Sequence, residues 1–582
     1  WLDRHETQFV MQTLRDQIRN IFAAALIFAA TACHDLDLNP LSSAASGNWY
    51  RDLQQIEMAL NALDSAKFWR PDGDNQTDWS DDAVYRNALT EMENATLTSS
   101  YHLVQTYWRL NYQMISYANT ILNRYETALH NGANKEKLMQ YVGEAHFYRA
   151  VAYGRLLCKY GDVPYVTSEI SIDEALNKTR DSKEVVLKHA YEDFDKAIEL
   201  LPNSYSGLQR ITKGAALALK ARTALYLADY KTAAEAAKAV MELGVYKLHP
   251  SYSDLFLQKT RTSTEFIFTL SRSLSLDYNV LKGNGVYHRL PRNVGGWAGR
   301  EPSWQLLAAY TCTDGLPIDK SPLFNPRKPF LNRDPRCMAT IVPFDSVFLG
   351  YVYSPSPADS LVLNVSAGKM VRNQDTRIVA THAPYNGLVW KKGIDESWIA
   401  NKYIVESPQI IVRYADVLLM YAEAKIELGE IDQSVLDAMN AVRARAYGVS
   451  AAETTKYPAF TIKGKDEMRL DLRTERRMEL AGEDLRFADL VRWRLAEVAL
   501  NRKQYGILDP AKECLEKLVH ANKWFWPTTP KIDQYGLPDF AEMEATGLIR
   551  VLSERKWDNR QYLWPLPEKE VKIGKVTQNP GY

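Results

Sequence analysis

Residues 213–243 read KGAALALKARTALYLADYKTAAEAAKAVMEL. Lys213 to Leu227 and Tyr230 to Leu243 each repeat small and apolar residues at helical spacing, with only Ala228-Asp229 between them. Small side chains let two helix axes approach closely. The stretch therefore predicts a tight, alanine-rich helical hairpin.

The pattern returns far along the chain. Ala221-(x)2-Ala224-(x)3-Ala228-Asp229-Tyr230 lines up with Tyr421-(x)2-Ala424-(x)3-Leu428-Gly429-Glu430. Paired helices with small residues at their crossing are the tetratricopeptide pattern, here in units dispersed through the chain. More helices are predicted over 101–130, over 135–160 with a Gly161-Asp162-Val163-Pro164 stop, and over 182–201 before Pro202. Others follow over 410–428, 432–445 and 466–500. Within the last, Gly482 is expected to break the helix and Glu483-Asp484 to start the next, because acidic residues suit a helix N-terminus. Residues 250–400 differ. Gly283, Gly285, Pro291, Gly295-Gly296, Pro302, Pro317, Pro322, Pro326, Pro329 and Pro335 crowd in, with short β-type runs at 265–270 and 361–365. The expected fold is mainly α: a tetratricopeptide-like helical-hairpin scaffold carrying a large loop-rich insertion with short strands.

The start of the chain reads as an address. Arg15 and Arg19 precede an apolar run in IFAAALIFAATACHDLDLNP, residues 21–40, which closes on Ala30-Thr31-Ala32 before Cys33. Basic, apolar and small-residue regions in that order form a secretory signal. The run of about ten residues is half the length a bilayer span needs. A cysteine directly after the small residues resembles a lipobox, although Ala30 stands where Leu is usual. The expectation is a leader over residues 1–32, with residues 1–10 read as lying upstream of a Met11 start, and a lipid on Cys33. The alternative is an ordinary signal peptide with an incidental cysteine.

Bulk properties exclude several classes. Lys plus Arg and Asp plus Glu both number 71, so nothing draws the chain to nucleic acid. After Cys33 no segment is apolar for eighteen residues, so lipid and not a helix would hold the chain to a membrane. Cys158, Cys312, Cys337 and Cys514 lack the clustering of a zinc site and are expected as buried thiols, with a Cys312–Cys337 bridge as the alternative. Asp72, Asp74 and Asp78 hint at calcium but lack the glycine and closing glutamate of an EF-hand. No HExxH, GxSxG or P-loop is present. No metal and no cofactor beyond the lipid is therefore assigned, a surface calcium being unsupported.

Five motifs, in order, carry a resemblance. They are Gly143-Glu144-Ala145-(x)3-Arg149-Ala150 running to Pro164, and Pro302 through Ala309-Tyr310-(x)3-Asp314-Gly315 to Asn332-Arg333-Asp334-Pro335-Arg336. Then come residues 413–424, RYADVLLMYAEA, and Glu475-Arg476-Arg477-(x)-Glu479-Leu480 with Arg486, Asp489-Leu490 and Arg492-Trp493. Last are Trp564-Pro565-Leu566-Pro567 and Gln578-Asn579-Pro580-Gly581-Tyr582. Together they resemble the SusD/RagB family of outer-membrane nutrient-binding lipoproteins of Bacteroidetes. On that basis residues 33–582 are expected as a single composite SusD-like domain. Its parts are a helical part over 33–250, a loop-rich ligand region over 251–405, tetratricopeptide-like helices over 406–505, and a loop and extended tail over 506–582. The charged residues of the motifs are expected to tie helices together.

The resemblance implies a surface-exposed, lipid-anchored protein of the outer membrane. It would bind oligosaccharide or polysaccharide without altering it and deliver it to a SusC-like TonB-dependent transporter. Capture of peptide is the alternative; a glycoside hydrolase, needing only two carboxylates, is the less favoured one. In the resemblance, loops hold the ligand. Residues 68–86, FWRPDGDNQTDWSDDAVYR, offer Trp69, Asp74, Asn75, Trp79, Tyr85 and Arg86. Residues 287–304 offer Tyr287, Trp297 between Gly296 and Ala298, Arg292 and Arg300. Aromatic faces beside polar forks suit sugar rings. His382-Ala383-Pro384-Tyr385-Asn386 is a third, weaker stretch. The chain's 14 Trp and 33 Tyr fit the filling of helical cores as well, and the alternative for Trp79 and Trp297 is that each is a loop anchor packed onto the helices.

Overall fold

The computed structural model describes residues 49–69, 76–206 and 210–582. Cys33, Asp74 and Asn75, and with them the leader and lipobox, lie outside the described residues.

Five long helices come first: α1 (His102–His130), α2 (Lys135–Tyr160), α3 (Lys183–Leu200), α4 (Lys213–Tyr226) and α5 (Tyr230–Glu242). Each packs on the next. The hairpin turn is built as the sequence requires. Asp229 caps α5 by accepting the Thr232 N–H at 3.2 Å. Ala215, Ala216, Ala218, Ala221 and Ala224 of α4 and Ala233, Ala236 and Ala237 of α5 are all buried. The partner of α5 on its far side is α6 (Tyr414–Leu428), followed by α7 (Gln433–Ala446), α8 (Lys465–Leu480) and the short α9 (Arg486–Arg492). The two hairpins that are far apart in sequence are therefore neighbours in the helical stack.

A pair of strands makes that possible. β2 (Phe266–Leu270) runs antiparallel to β8 (Gln409–Arg413), closing the neck of the insertion so that β8 leads straight into α6. Between them lie β3 (Arg300–Pro302) and a four-stranded meander of β4 (Val347–Phe348), β5 (Tyr351–Val352), β6 (Leu361–Asn364) and β7 (Lys369–Arg372). Outside the insertion, β1 (Ala83–Tyr85) precedes the long helices, and β9 (Lys503–Ile507) and β10 (Ile549–Glu554) pair with each other. Two main apolar cores result among the described residues, one among the helices and one under the insertion around Trp304, Trp390, Phe525 and Trp526, with a small third cluster of Tyr252, Leu255 and Phe256. Helix α8 serves both: Met468 and Leu472 enter the first, Met478 the second.

Buried arginines and carboxylates lock the two halves together, as the motifs lead one to expect. Arg336 has no exposed side-chain surface and reaches Glu475 at 2.6 Å and Asp334 at 2.8 Å. Arg413 reaches Glu479 at 2.6 Å and Glu265 at 2.7 Å. Burial alone would raise the Glu479 carboxyl; Arg445, Arg413 and Arg336 overcome it and hold it far below the usual carboxylate range.

Three expectations change. The stretch 466–500 is not one helical run. Gly482, at φ +74°, breaks it as expected, but Glu483 and Asp484 do not start the next helix. Glu483 pairs with Lys392 at 2.7 Å, and Asp484 sits at φ +61° accepting from Thr77. The tail is not wholly extended, since Glu568–Ile573 is helical. It does clamp α2: Trp564 N–H donates to Lys159 O at 2.7 Å and Asn579 Nδ2 to Tyr160 O at 2.9 Å. Cys312, Cys337 and Cys514 are buried free thiols, without a Cys312–Cys337 bridge, and Cys158 is half-buried.

Candidate functional site

The two stretches singled out for their aromatic and polar content meet in one place. β1 pairs antiparallel with β3, setting Tyr85 opposite Arg300 and Val84 opposite Glu301. The scaffold fixes β1 through its approach. Arg486 Nε donates to Asp81 at 2.8 Å and Arg477 Nε to Asp82 at 2.8 Å. Arg555 Nη2 donates to the carbonyls of Asp78 at 2.5 Å and Ala83 at 3.0 Å. Motif arginines of α8 and α9 thus act on the site by positioning a strand.

Residues 287–300 fold back on themselves. A helical turn, Asn284–Tyr287, leads in. Trp297 N–H donates to Tyr287 O at 2.7 Å, Ala298 N–H to Leu290 O at 2.9 Å and Gly299 N–H to His288 O at 3.0 Å. The glycines permit this closeness. A Cβ on Gly296 would lie 2.2 Å from Leu290 O, and one on Gly299 2.2 Å from His288 Nδ1. Arg86 completes the loop, its backbone N–H on Gly299 O at 3.0 Å and its Nη2 on the carbonyls of Trp297 and Ala298.

The result is a displayed aromatic face. Trp297 is 41% exposed. Its indole stacks on Tyr287 with centroids 5.1 Å apart and planes at 21°, and Tyr403 supports Tyr287 at 5.0 Å. His288 meets Trp297 edge-on at 4.9 Å. Tyr85 lies 5.2 Å from His288, with the Arg300 guanidinium 4.8 Å from the Tyr85 ring. Burial, then Arg300 and Arg86, bring His288 down to about 4, so it is a neutral imidazole at neutral pH. Exposed Asn87 donates to the Tyr85 hydroxyl at 2.8 Å. From the third stretch, the Tyr385 ring lies 5.3 Å from Arg86, while Asn386 is buried and donates to Pro302 O.

Tyr85, Arg86, Tyr287, Trp297 and Arg300 therefore come together. Trp69 and Trp79 do not join them. Trp69 is fully buried, donating Nε1–H to Leu63 O at 3.0 Å and packing edge-on against Phe268. Trp79 is 5% exposed, wedged between Phe487 at 5.5 Å and Trp564 at 6.1 Å. Both sit on short helical turns, Ala66–Trp69 and Gln76–Trp79, that direct the indoles into the helical core. They are core anchors and take no part in the Trp297 face. Tyr403 and His288 were not singled out from sequence. His288 lay inside the second stretch; Tyr403 comes from a distant turn with no local signal.

Among the described residues no group of three or more His, Cys, Asp or Glu is placed to hold a metal ion. A larger cavity of about 700 Å3 lies among the helices, lined by Arg155, Lys159 and Tyr226 and bounded by Trp69 and Gln76. It touches none of the aromatic face.

Comparison with known proteins agrees with this architecture. Residues 264–582 match the SusD family model. The chain belongs to the SusD family. Within this SusD-family chain, residues 36–227 also match a family described as starch-binding and associating with the outer membrane. SusD-like protein P2 of Formosa agariphila is 24% identical over 81% of this chain and 89% of its own length. A SusD-like carbohydrate-binding protein of Bacteroides fragilis, solved as a crystal structure, is 26% identical, covers 90% of this chain and 99% of its own, and superposes with a TM-score of 0.72. A laminarin-binding SusD-like protein shares the fold at 20% identity and TM-score 0.60, covering 92% of this chain and all of its own.

Proposed function

We propose that this protein captures glycan on the Trp297 face without altering it, at the cell surface of the outer membrane, and passes it to a SusC-like TonB-dependent transporter. One observation carries the ligand class: an exposed indole, already stacked on Tyr287 and held by a closed loop. Such a surface packs against the C–H face of a sugar ring, while Asn87 and Arg300 at its rim offer donors to hydroxyls. The starch-binding description of the matching family and the names of the relatives support the same class. The anchor and the transporter rest on family membership and on the Cys33 reading. Among the described residues no helix is long and apolar enough to cross a membrane.

Capture without cleavage is supported by how two carboxylates beside the face are used. Glu301 accepts the Tyr385 and Asn386 N–H groups, each at 2.7 Å, and Asp78 is held by Arg300 at 2.8 Å. Hydrolysis needs an acid and a base or nucleophile free to flank the glycosidic bond.

Calorimetry against panels of glycans and peptides tests the reading. Binding of at least one glycan, weakened in Trp297→Ala, supports it. Heats for peptides alone would overturn the ligand class, and shortened products on thin-layer analysis would overturn capture without cleavage. Co-purification of a TonB-dependent transporter, unchanged by Trp297→Ala, tests delivery, and fatty-acid labelling lost in Cys33→Ala tests the anchor.

A further inference from the structure

Arg300 has a second neighbour besides the Tyr85 ring. Its Nε lies 2.8 Å from Asp78 Oδ2, and both residues line a separate cavity of about 240 Å3. Trp297 and Tyr287 do not line it. The cavity lies between the helical turn at Thr77, the start of the insertion and the loop after α8.

Its wall carries polar groups with no partner. Trp398 is 4% exposed, and its indole Nε1 finds no acceptor. Arg289 is half-exposed, and its side chain makes no hydrogen bond or ion pair among the described residues, while its backbone N–H donates to Val286 O at 3.0 Å. Asp484 spends Oδ1 on Thr77, at 2.9 Å from the N–H and 2.5 Å from the hydroxyl, and leaves Oδ2 without a donor. A buried donor left unmade costs about 1–3 kcal/mol, so the Trp398 N–H asks for an acceptor, and the half-exposed Arg289 and Asp484 on the same wall offer a donor and a further acceptor to the same ligand. Hydroxyl groups both donate and accept. The charges set the ligand's sign: Asp78, Asp484 and Glu483 face Arg289, Arg300 and Lys392 across the same wall. An anion would meet the carboxylates and a cation the guanidinium groups. Leu281 and Val405 add an apolar side. The volume falls below the roughly 300 Å3 at which pockets for drug-sized ligands begin, and suits a single ring.

We infer that this cavity is a second binding site, for one neutral sugar ring, with Asp484 and Arg289 as its polar clamp and the Trp398 indole N–H as a donor. It goes beyond the Trp297 face and does not depend on what that face holds. Burial pushes the Asp484 carboxyl up to about 6, opposed by Arg289, so the carboxylate acceptor is present at neutral pH.

The test uses the full chain with free D-glucose, D-galactose, D-mannose, D-xylose, L-fucose and L-rhamnose at tens of millimolar, read by saturation-transfer NMR and calorimetry. At least one should bind, with affinity falling tenfold or more in Asp484→Asn and in Arg289→Ala and unchanged in Trp297→Ala. Asn tolerates the left-handed backbone at 484 and keeps an acceptor for Thr77, so Asp484→Asn should fold; its melting curve checks this. Binding of none of the six, binding kept in both cavity variants, or binding lost in Trp297→Ala overturns the inference. Failure of the glycan-capture reading looks different: long glycans ignored by the wild type, whatever the monosaccharides do.

Discussion

Trp297 and Tyr287 are paired twice, by a 2.7 Å hydrogen bond between their backbones and by ring stacking at 5.1 Å. The backbone bond fixes where the indole emerges, and the stack fixes its plane. Tyr403 secures the arrangement from behind, donating its hydroxyl proton to Val294 O at 2.9 Å. A ligand that docks on this face does not have to immobilise a free rotamer, which otherwise costs about 0.5–1.5 kcal/mol per side chain.

Trp297→Ala should therefore weaken glycan binding at least about tenfold, or roughly 1.4 kcal/mol. Because the indole is 41% exposed and lies outside both main cores, the melting temperature should fall far less than for truncation of a core tryptophan. Trp297→Phe should fall between, having the flat face but less of it. Calorimetry with one glycan ligand, paired with thermal melts, separates the two quantities.

Trp79→Ala should do the reverse. The indole is sealed between Phe487 and Trp564, and truncating such a side chain leaves a cavity costing about 3–5 kcal/mol. Denaturant midpoints should drop, while the dissociation constant of the folded fraction for the same glycan stays within twofold. A selective loss of binding with unchanged stability would contradict its assignment to the core.

Glu479→Gln keeps the shape of the buried network and removes a charge shared by Arg413 and Arg445. Breaking a buried ion pair from one side costs about 3–5 kcal/mol, because the remaining charge is left uncompensated. Urea unfolding should register that loss. Trp297 is far along the chain from this junction and is held by its own loop bonds, so glycan affinity of the folded protein should hold.

The contrast between Trp79 and Trp297 explains how much was legible in the sequence. Helices announced themselves through spacing and punctuation: alanine faces in 213–243, and Gly161 before Pro164 at the end of α2. The buried charges were legible as motifs, since carboxylates and arginines at helical spacing cannot be buried unpaired. Trp297 was legible because Gly296 and Ala298 leave an indole little to pack against. Trp69 and Trp79 sit in a stretch of Asp, Asn, Gly and Pro that reads as surface loop, yet two short helical turns face them inward. Nothing local encodes that choice; it is made by Phe268, Phe487 and Trp564 arriving from elsewhere. Tyr403 was illegible for the same reason, being tied to the site only through Tyr287 and Val294.

The last prediction concerns acid. Asp416 is buried, which alone would raise its carboxyl, but Arg222 and Arg476 bring it down to about 2 from an ordinary 3.8. Below that ordinary value the unfolded chain takes up a proton that the native state refuses. The stability this residue contributes is thus fully present above about pH 4 and is lost as pH falls towards 2, an amount of about 2 kcal/mol. Asp484 acts with opposite sign. Raised to about 6 by burial, it keeps its proton in the native state after the unfolded chain has released it, so stability falls as pH climbs from about 4 to 6 and then levels. Together they predict a melting-temperature maximum on the acid side of neutrality. Asp416→Asn should flatten the limb below pH 4 and Asp484→Asn the limb between 4 and 6. Melts in buffers from pH 2.5 to 8 at constant ionic strength measure both slopes, and a single slope altered equally by the two variants would contradict the assignment.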